Sequence, residues 1–332
     1  MAGYCNRFRR KGVLAAVLLV AASVAAASAV VASQTPGAKA GGELVANLAS
    51  GRVAVLAAKD GLVIASVAGS FEPGGLAPVV IPQSEGSVVV ALGAVDWVVP
   101  PSNRPVLQLA SQLPRLITST GGGAPSLSGN TTPSHLDQIG LAVLEPLRTA
   151  AHHLHAQIHL PQDLPLLELV IVRQSAGEEP SVWDVSYWLS QRSLEENFWD
   201  TEVERPRYYQ LYPTKENRTG GLEISYPPDD SAPGLLAWLE QPSGRLAAAI
   251  QANPRLAETQ RSISEGKGKK LRLAQLVPLA KLALQTMVPA GTPKAMVTLD
   301  NHGGFDWVIQ PPPTPATQPK RPPGAPTLET HP

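Results

Sequence analysis

Apolar residues along this chain fall into short continuous blocks and into helical stripes, and the polar residues between them mark the turns. Residues 52–58 and 62–67 are apolar, β-branched runs split by Lys59-Asp60-Gly61. An Asp-Gly pair between two such runs predicts a β-hairpin. Residues 87–92 and 95–99 read as another strand pair or as one bulged strand broken at Gly93, and 106–118 carry the pattern of a helix. A longer amphipathic helix is expected from a Ser134 cap to about residue 157. Ile139, Leu141, Val143, Leu144, Leu147 and Leu154 would form its buried stripe.

Two further strands follow at 166–174 and 182–190, and 207–212 with 221–226 suggests another hairpin. Residues 233–263 read as helix interrupted at Pro242 and Pro254, 264–270 as a basic loop, and 271–287 as a helix kinked by Pro278. A last strand pair, 295–300 and 305–309, turns across Asn301-His302-Gly303-Gly304. Asp96-Trp97 is echoed by Asp306-Trp307, but no wider period accompanies it. The Gly/Ser/Thr-rich stretch 118–133 is a loop, 34–42 a flexible spacer, and 311–332 a Pro-rich tail too poor in apolar residues to order itself. The pattern therefore predicts one α+β domain over 43–310, built of antiparallel strand pairs and amphipathic helices.

Ahead of it, Arg7, Arg9, Arg10 and Lys11 precede an uncharged run, residues 12–31, which ends in small residues. A positive start, an apolar middle and Ala-Ser-Ala at 27–29 make residues 1–33 a secretory signal. Alternatively they are a retained anchor, since about 20 helical residues span a bilayer core. Both readings export the remainder, and in the second the membrane is a partner through 12–31. The single cysteine, Cys5, lies before this run, so the exported part is expected to carry neither a disulfide nor a thiolate metal site. Only 16% of residues are charged and the formal net charge is zero, which argues against nucleic-acid binding. No Gly-rich phosphate loop with Lys-Ser/Thr and no Gly-x-Ser-x-Gly elbow is present, and no cofactor is expected.

The order of elements resembles that of the proteasome-type N-terminal-nucleophile hydrolases. Residues 52–67 (RVAVLAAKDGLVIASV) are similar to that family's opening hairpin, 136–190 to its central helix and long hairpin, and 271–308 to its last helix and closing hairpin. The resemblance implies two stacked antiparallel sheets between helix layers. It also implies an N-terminal Thr, Ser or Cys whose freed amine acts as base. Counting back from Asp60-Gly61, that position falls on Gly51, which has no nucleophile. Ser50 would serve only after a cut between Ala49 and Ser50. The assisting acid falls near Val67 and the assisting lysine near Gln83, neither chemically competent, and the family's Ser-Gly-Ser stretch is replaced by LSQRSL at 189–194. The resemblance thus implies an inactive scaffold, with amide hydrolysis from Ser50 as the alternative.

Other constellations stand apart from the family. His152, His155 and His159 recur at helical spacing and would present imidazoles for a metal, with Asp163 nearby; the plainer reading is a solvated helix end, where histidine suits the dipole. Trp183, Tyr187, Trp188, Phe198 and Trp199 accompany Asp184, Glu195, Glu196, Asp200, Glu202 and Glu204. Carboxylates beside aromatics suit sugar hydrolysis or, better, a binding surface for a partner or ligand; the plainer reading is aromatics that pack while the acids face water. Lys267, Lys269, Lys270 and Arg272 form a small basic patch, read as a solvated loop.

Overall fold

The computed structural model describes residues 45–69, 76–83, 86–99, 104–119, 133–151, 164–174, 177, 179–189, 202–214, 220–228 and 233–311. The strands are β1 (Val45–Ala49), β2 (Gly51–Ala58), β3 (Gly61–Ala68), β4 (Val79–Gln83), β5 (Ser87–Val99), β6 (Arg104–Gln108), β7 (Leu167–Arg173), β8 (Ser181–Tyr187), β9 (Arg207–Tyr212), β10 (Gly221–Tyr226), β11 (Lys294–Asp300) and β12 (Phe305–Ile309). The helices are α1 (Leu109–Ser119), α2 (Pro133–Ala151), α3 (Leu235–Glu240), α4 (Gly244–Gln251), α5 (Pro254–Ser264) and α6 (Leu273–Met287).

These strands form two antiparallel sheets, one ordered β1-β5-β7-β8-β9 with β4 and β6 also on β5, the other β10-β2-β3-β11-β12. Side chains of β2 and β3 show why the runs are apolar throughout rather than alternating. Val53, Val55, Leu62 and Ile64 pack with Val88, Val90, Val170 and Val172 between the sheets. Ala54, Leu56, Val63 and Ala65 instead meet Leu239, Leu246, Leu276 and Leu284 of the helices. A sheet covered on both faces needs both sets of positions apolar. The other sheet does the same through Val89, Ala91, Leu169 and Ile171, which pack on Leu113 of α1 and on Ile139, Val143 and Leu147 of α2. The result is four layers: helices, sheet, sheet, helices.

The predicted hairpin closes as expected, with Ala58 opposite Gly61. The Asp60 Oδ1 of its turn accepts a hydrogen bond from the Leu273 N–H at 2.7 Å, which satisfies an otherwise orphan donor at the start of α6. Strand β5 resolves the choice at Gly93: it is one strand, and Gly93 adopts φ +88°. Asn47 pairs with Asp96 but Leu48 pairs with Ala94, so Val95 is the extra residue of a bulge. Pro254 occupies the first position of α5, and the Asn253 Oδ1 accepts from the Arg255 and Leu256 N–H groups.

Four expectations need correction. Residues 104–108 form strand β6 on β5, and the helix begins only at Leu109. Ser134 lies inside the first turn of α2, which starts at Pro133, a residue suited to that position. Leu141 is 42% exposed, because a residue two positions from Ile139 and Val143 sits about 200° round the helix from their stripe. Strands β9 and β10 are not a hairpin: β9 pairs with β8, and β10 pairs with β2 in the other sheet. Their connection, 213–220, is longer than a tight turn. It carries the chain from one sheet to the other, and both Tyr212 and Tyr226 end buried between the sheets. Residues 1–44, 120–132, His152, His155, His159, Asp163, Leu154, Phe198, Trp199 and residues 312–332 lie outside the described residues. No helix among the described residues is long and apolar enough to cross a membrane.

One titratable group inside the fold makes a pH prediction. Asp96 stands on β5 opposite Asn47 and Gln108, and burial pushes its carboxyl above the ordinary carboxylate range. A raised folded-state pKa stabilises the fold at low pH, and that contribution is lost as pH rises through the folded value. Asp96→Asn lacks the titration. Its stability relative to the parent is therefore expected to increase between pH 4 and pH 7, as read by urea unfolding at each pH; a pH-independent difference would contradict this origin.

Candidate functional site

At Ala49-Ser50-Gly51 the chain leaves one sheet and enters the other. Ala49 ends β1 opposite Gly93, and Gly51 begins β2 opposite Ala68 and Tyr226. Ser50 is 7% exposed and tied on both sides: its N–H donates to the Leu76 carbonyl at 2.9 Å, and its carbonyl accepts from the Gly69 N–H at 3.0 Å. Leu76 in turn donates to the Leu48 carbonyl at 2.9 Å. In the uncut chain the Ser50 N–H is held in this hydrogen-bonded crossing.

Gly51, the position that counting from Asp60-Gly61 selects, is closed sterically as well as chemically. Its φ is +147°, in the region that favours glycine. A Cβ built there would lie 2.1 Å from the Val67 carbonyl oxygen, 3.0 Å from the Gly69 nitrogen and 3.0 Å from Pro78 Cδ. Val67, where the resemblance would look for an acid, contributes the carbonyl that excludes a side chain. Gln83 is half-buried at the end of β4, and it supplies an amide where a lysine would be required.

Beside this crossing a cavity of about 880 Å³ opens between the helix-facing side of the β10-β2-β3 sheet and helices α3 and α6. Ala54 and Ala65 are its floor, and Trp238, Leu284, Met287 and Val288 form apolar walls. The polar side chains that line it include Arg52, Glu223, Ser225 and Thr292. Arg52 stands directly opposite Ser225, and Glu223 lies two residues further along β10, opposite Ala54. The Glu223 carboxylate accepts from the Leu235 N–H at 2.9 Å and the Leu236 N–H at 3.3 Å, so it caps α3 from a neighbouring strand. Gly234 makes room for it, since a Cβ there would fall 1.9 Å from Glu223 Oε1. Apolar walls with a few convergent polar groups suit binding. Neither Arg52 nor a carboxylate engaged in capping suits nucleophilic attack.

The aromatic set divides differently from an exposed face. Tyr187 is fully buried, and its hydroxyl donates to the Gly140 carbonyl of α2 at 3.1 Å. Burial, and secondarily the neighbouring Tyr208, push that phenol well above its usual range, so it stays neutral. Trp188 is 7% exposed; its Nε1–H donates to Ser186 Oγ at 3.1 Å and its ring lies 4.9 Å beneath the Arg207 guanidinium. Trp183 is half-buried against the α1/α2 core. Tyr187 and Trp188 are therefore packing residues, because β8 is an interior strand with both faces covered. In the basic loop, Lys267 pairs with Glu265 at 2.6 Å, and Lys269 lies 3.9 Å from Glu179 and 4.8 Å above the Tyr212 ring. Among the described residues no group of His, Cys, Asp or Glu is arranged to hold a metal ion.

Arg52 and Glu223 were not singled out from the sequence. The signal is a charge among apolar strand neighbours, Arg52 before the apolar run of β2 and Glu223 between Leu222 and Ile224: a charge on a covered sheet must face a gap or a partner.

The described residues form a four-layer α+β sandwich in which Gly51 is closed to a side chain and a cavity lies beside it. No family model matches the chain, and no curated protein matches it. Among solved structures it is similar to a Gly-1 mutant of Anbu from Hyphomicrobium sp. strain MC1, at 13% identity over 77% of this chain and 86% of that one, with a TM-score of 0.35. A likeness at that score is too low to assign a fold.

Proposed function

We propose that this protein is an exported, non-catalytic binding protein built on a degenerate N-terminal-nucleophile-type scaffold. The order of elements supports the scaffold: an opening hairpin with a Lys-Asp-Gly turn, a central helix before a long hairpin, and a closing helix and hairpin, folded as two antiparallel sheets between helices. The observation that carries the non-catalytic reading is Gly51, whose surroundings leave no space for any nucleophilic side chain. The cavity alongside supports binding as the retained use of the scaffold. Export rests on the arginine-led apolar run at 12–31.

The competing reading is an amide hydrolase that frees Ser50 by cutting after Ala49. It requires the Ala49–Ser50 peptide bond to be cut within a buried, hydrogen-bonded crossing. Intact-mass measurement of the mature protein separates the two. The expected chain begins at Met1 or near residue 34, and Ser50→Ala leaves that starting residue unchanged, its mass lower only by the one side-chain oxygen. A mature chain beginning at Ser50, together with an amidase activity that Ser50→Ala abolishes, would overturn the proposal.

A further inference from the structure

We infer that the cavity beside Gly51 binds an uncharged, largely apolar small molecule and excludes ionised ligands of either sign. The inference rests on the binding reading above and adds the ligand class. Apolar character comes from the walls. Trp238 of α3 and Leu284, Met287 and Val288 at the end of α6 line a space floored by Ala54 and Ala65, with a volume of about 880 Å³. That volume lies within the range of small-molecule sites. The space exists because the floor is short: on the same two strands Leu56 and Val63 fill the adjoining core, whereas alanine stops at its Cβ. A body that leaves water for such walls gains free energy in proportion to the apolar area it buries.

Neutrality comes from the polar lining. Among the described lining residues Arg52 is the single cation and Glu223 the single anion. Arg52 lies opposite Ser225 and Glu223 opposite Ala54, so the two charges are diagonal neighbours on one sheet face and sum to zero. Each is already engaged. The Glu223 carboxylate holds the N–H groups of Leu235 and Leu236, and Arg52 and Ser225 make further interactions of their own. A charged ligand would therefore meet one attraction and one repulsion of similar size. It would also give up its hydration among apolar walls with no partner set aside for it, which is costly. An uncharged body surrenders little hydration and disturbs neither group. The compensated pair thus selects by sign: it disfavours anions and cations alike.

The test is a fluorescence titration of the mature exported chain with N-phenyl-naphthylamine, an uncharged fluorophore that brightens on leaving water. Its counterpart is anilinonaphthalene sulfonate, the same ring system carrying a negative charge. If the apolar segment is retained, the chain is held in nanodiscs and empty nanodiscs serve as the blank. The neutral fluorophore is expected to bind saturably, and the sulfonate at least about tenfold more weakly. Decanol should displace the bound fluorophore, whereas decyltrimethylammonium should need at least about tenfold more to do so. Glu223→Gln leaves Arg52 uncompensated and should shift the ratio of the two fluorophore affinities toward the sulfonate at least about tenfold. Met287→Trp fills the cavity from its wall and Ala290→Trp from an exposed lining position, and each should weaken the neutral fluorophore. A sulfonate that binds the parent as tightly as the neutral fluorophore, or a cation that competes as well as decanol, would overturn the ligand class, as would an unshifted ratio in Glu223→Gln. No saturable signal, or undiminished binding by both filled variants, would overturn the site. A failure here would leave the starting residue of the mature chain and its indifference to Ser50→Ala untouched, so the ligand class and the non-catalytic reading fail separately.

Discussion

Gly51→Ser, which installs a nucleophile where the resemblance would place one, is expected to cost stability on the order of 4 kcal/mol or more and to yield no hydrolase. Two effects combine. A non-glycine residue held at φ +147° costs about 1–3 kcal/mol. The new Cβ would also lie 2.1 Å from a carbonyl oxygen of the partner strand β3, and that contact involves backbone rather than the movable end of a side chain. Relief requires β2 and β3 to separate at Val67, where the pair is held by the register Arg52 to Val67 and by the Gly69 N–H on Ser50. Losses of this size are rare among single substitutions and identify a steric or backbone origin. Thermal and urea unfolding read the effect. A variant that melts within about 2 °C of the parent and hydrolyses a peptide amide would show that the site is open after all.

Gly140→Ala should destabilise by about 2 kcal/mol, against the direction of helix propensity. In an exposed helix interior the change would stabilise by about 0.8–1 kcal/mol. Here a Cβ on α2 would meet Tyr208 Oη at 2.2 Å and Pro206 Cγ at 2.8 Å, while the Gly140 carbonyl accepts from Tyr187. Overpacking of this kind costs about 1–3 kcal/mol, and relief requires the partly buried Tyr208 ring and Pro206 to shift. The collision with a hydroxyl makes the test specific. Tyr208→Phe in the Gly140→Ala background should recover part of the loss, leaving the contact with Pro206, and the double-mutant cycle should show a coupling of about 1 kcal/mol. Additive effects would locate the strain elsewhere.

Much of the fold could be read from local pattern because the pattern was strong. The Lys-Asp-Gly turn, the continuous apolar runs of β2, β3 and β7, the helix break at Pro254 and the closing hairpin each follow from a short stretch of residues and its own chemistry. Where the reading failed, the deciding partner was distant. Residues 104–108 are a strand because β5 is long enough to hold β7 and β6 end to end on one side. Strand β9 joins β8 while β10 joins β2, a choice between two available edges that no residue of either strand announces. The aromatics of β8 admitted both a face for a partner and plain packing, because alternation alone does not say whether α2 covers them. The Tyr187–Gly140 hydrogen bond is the contact that decides it.

The candidate site divides along the same line. The sequence alone determined that Gly51 carries no nucleophile and that Val67 and Gln83 cannot assist one, because those are statements about side-chain chemistry at counted positions. Only the tertiary structure decided that the glycine position is closed to any side chain, that Ser50 is locked in a crossing between two sheets, and that Arg52, Ser225 and Trp238 surround one cavity. Counting along a chain reports which groups exist. Steric closure and convergence depend on the packing of strands and helices far apart in that count, and so they arise only when the four layers come together.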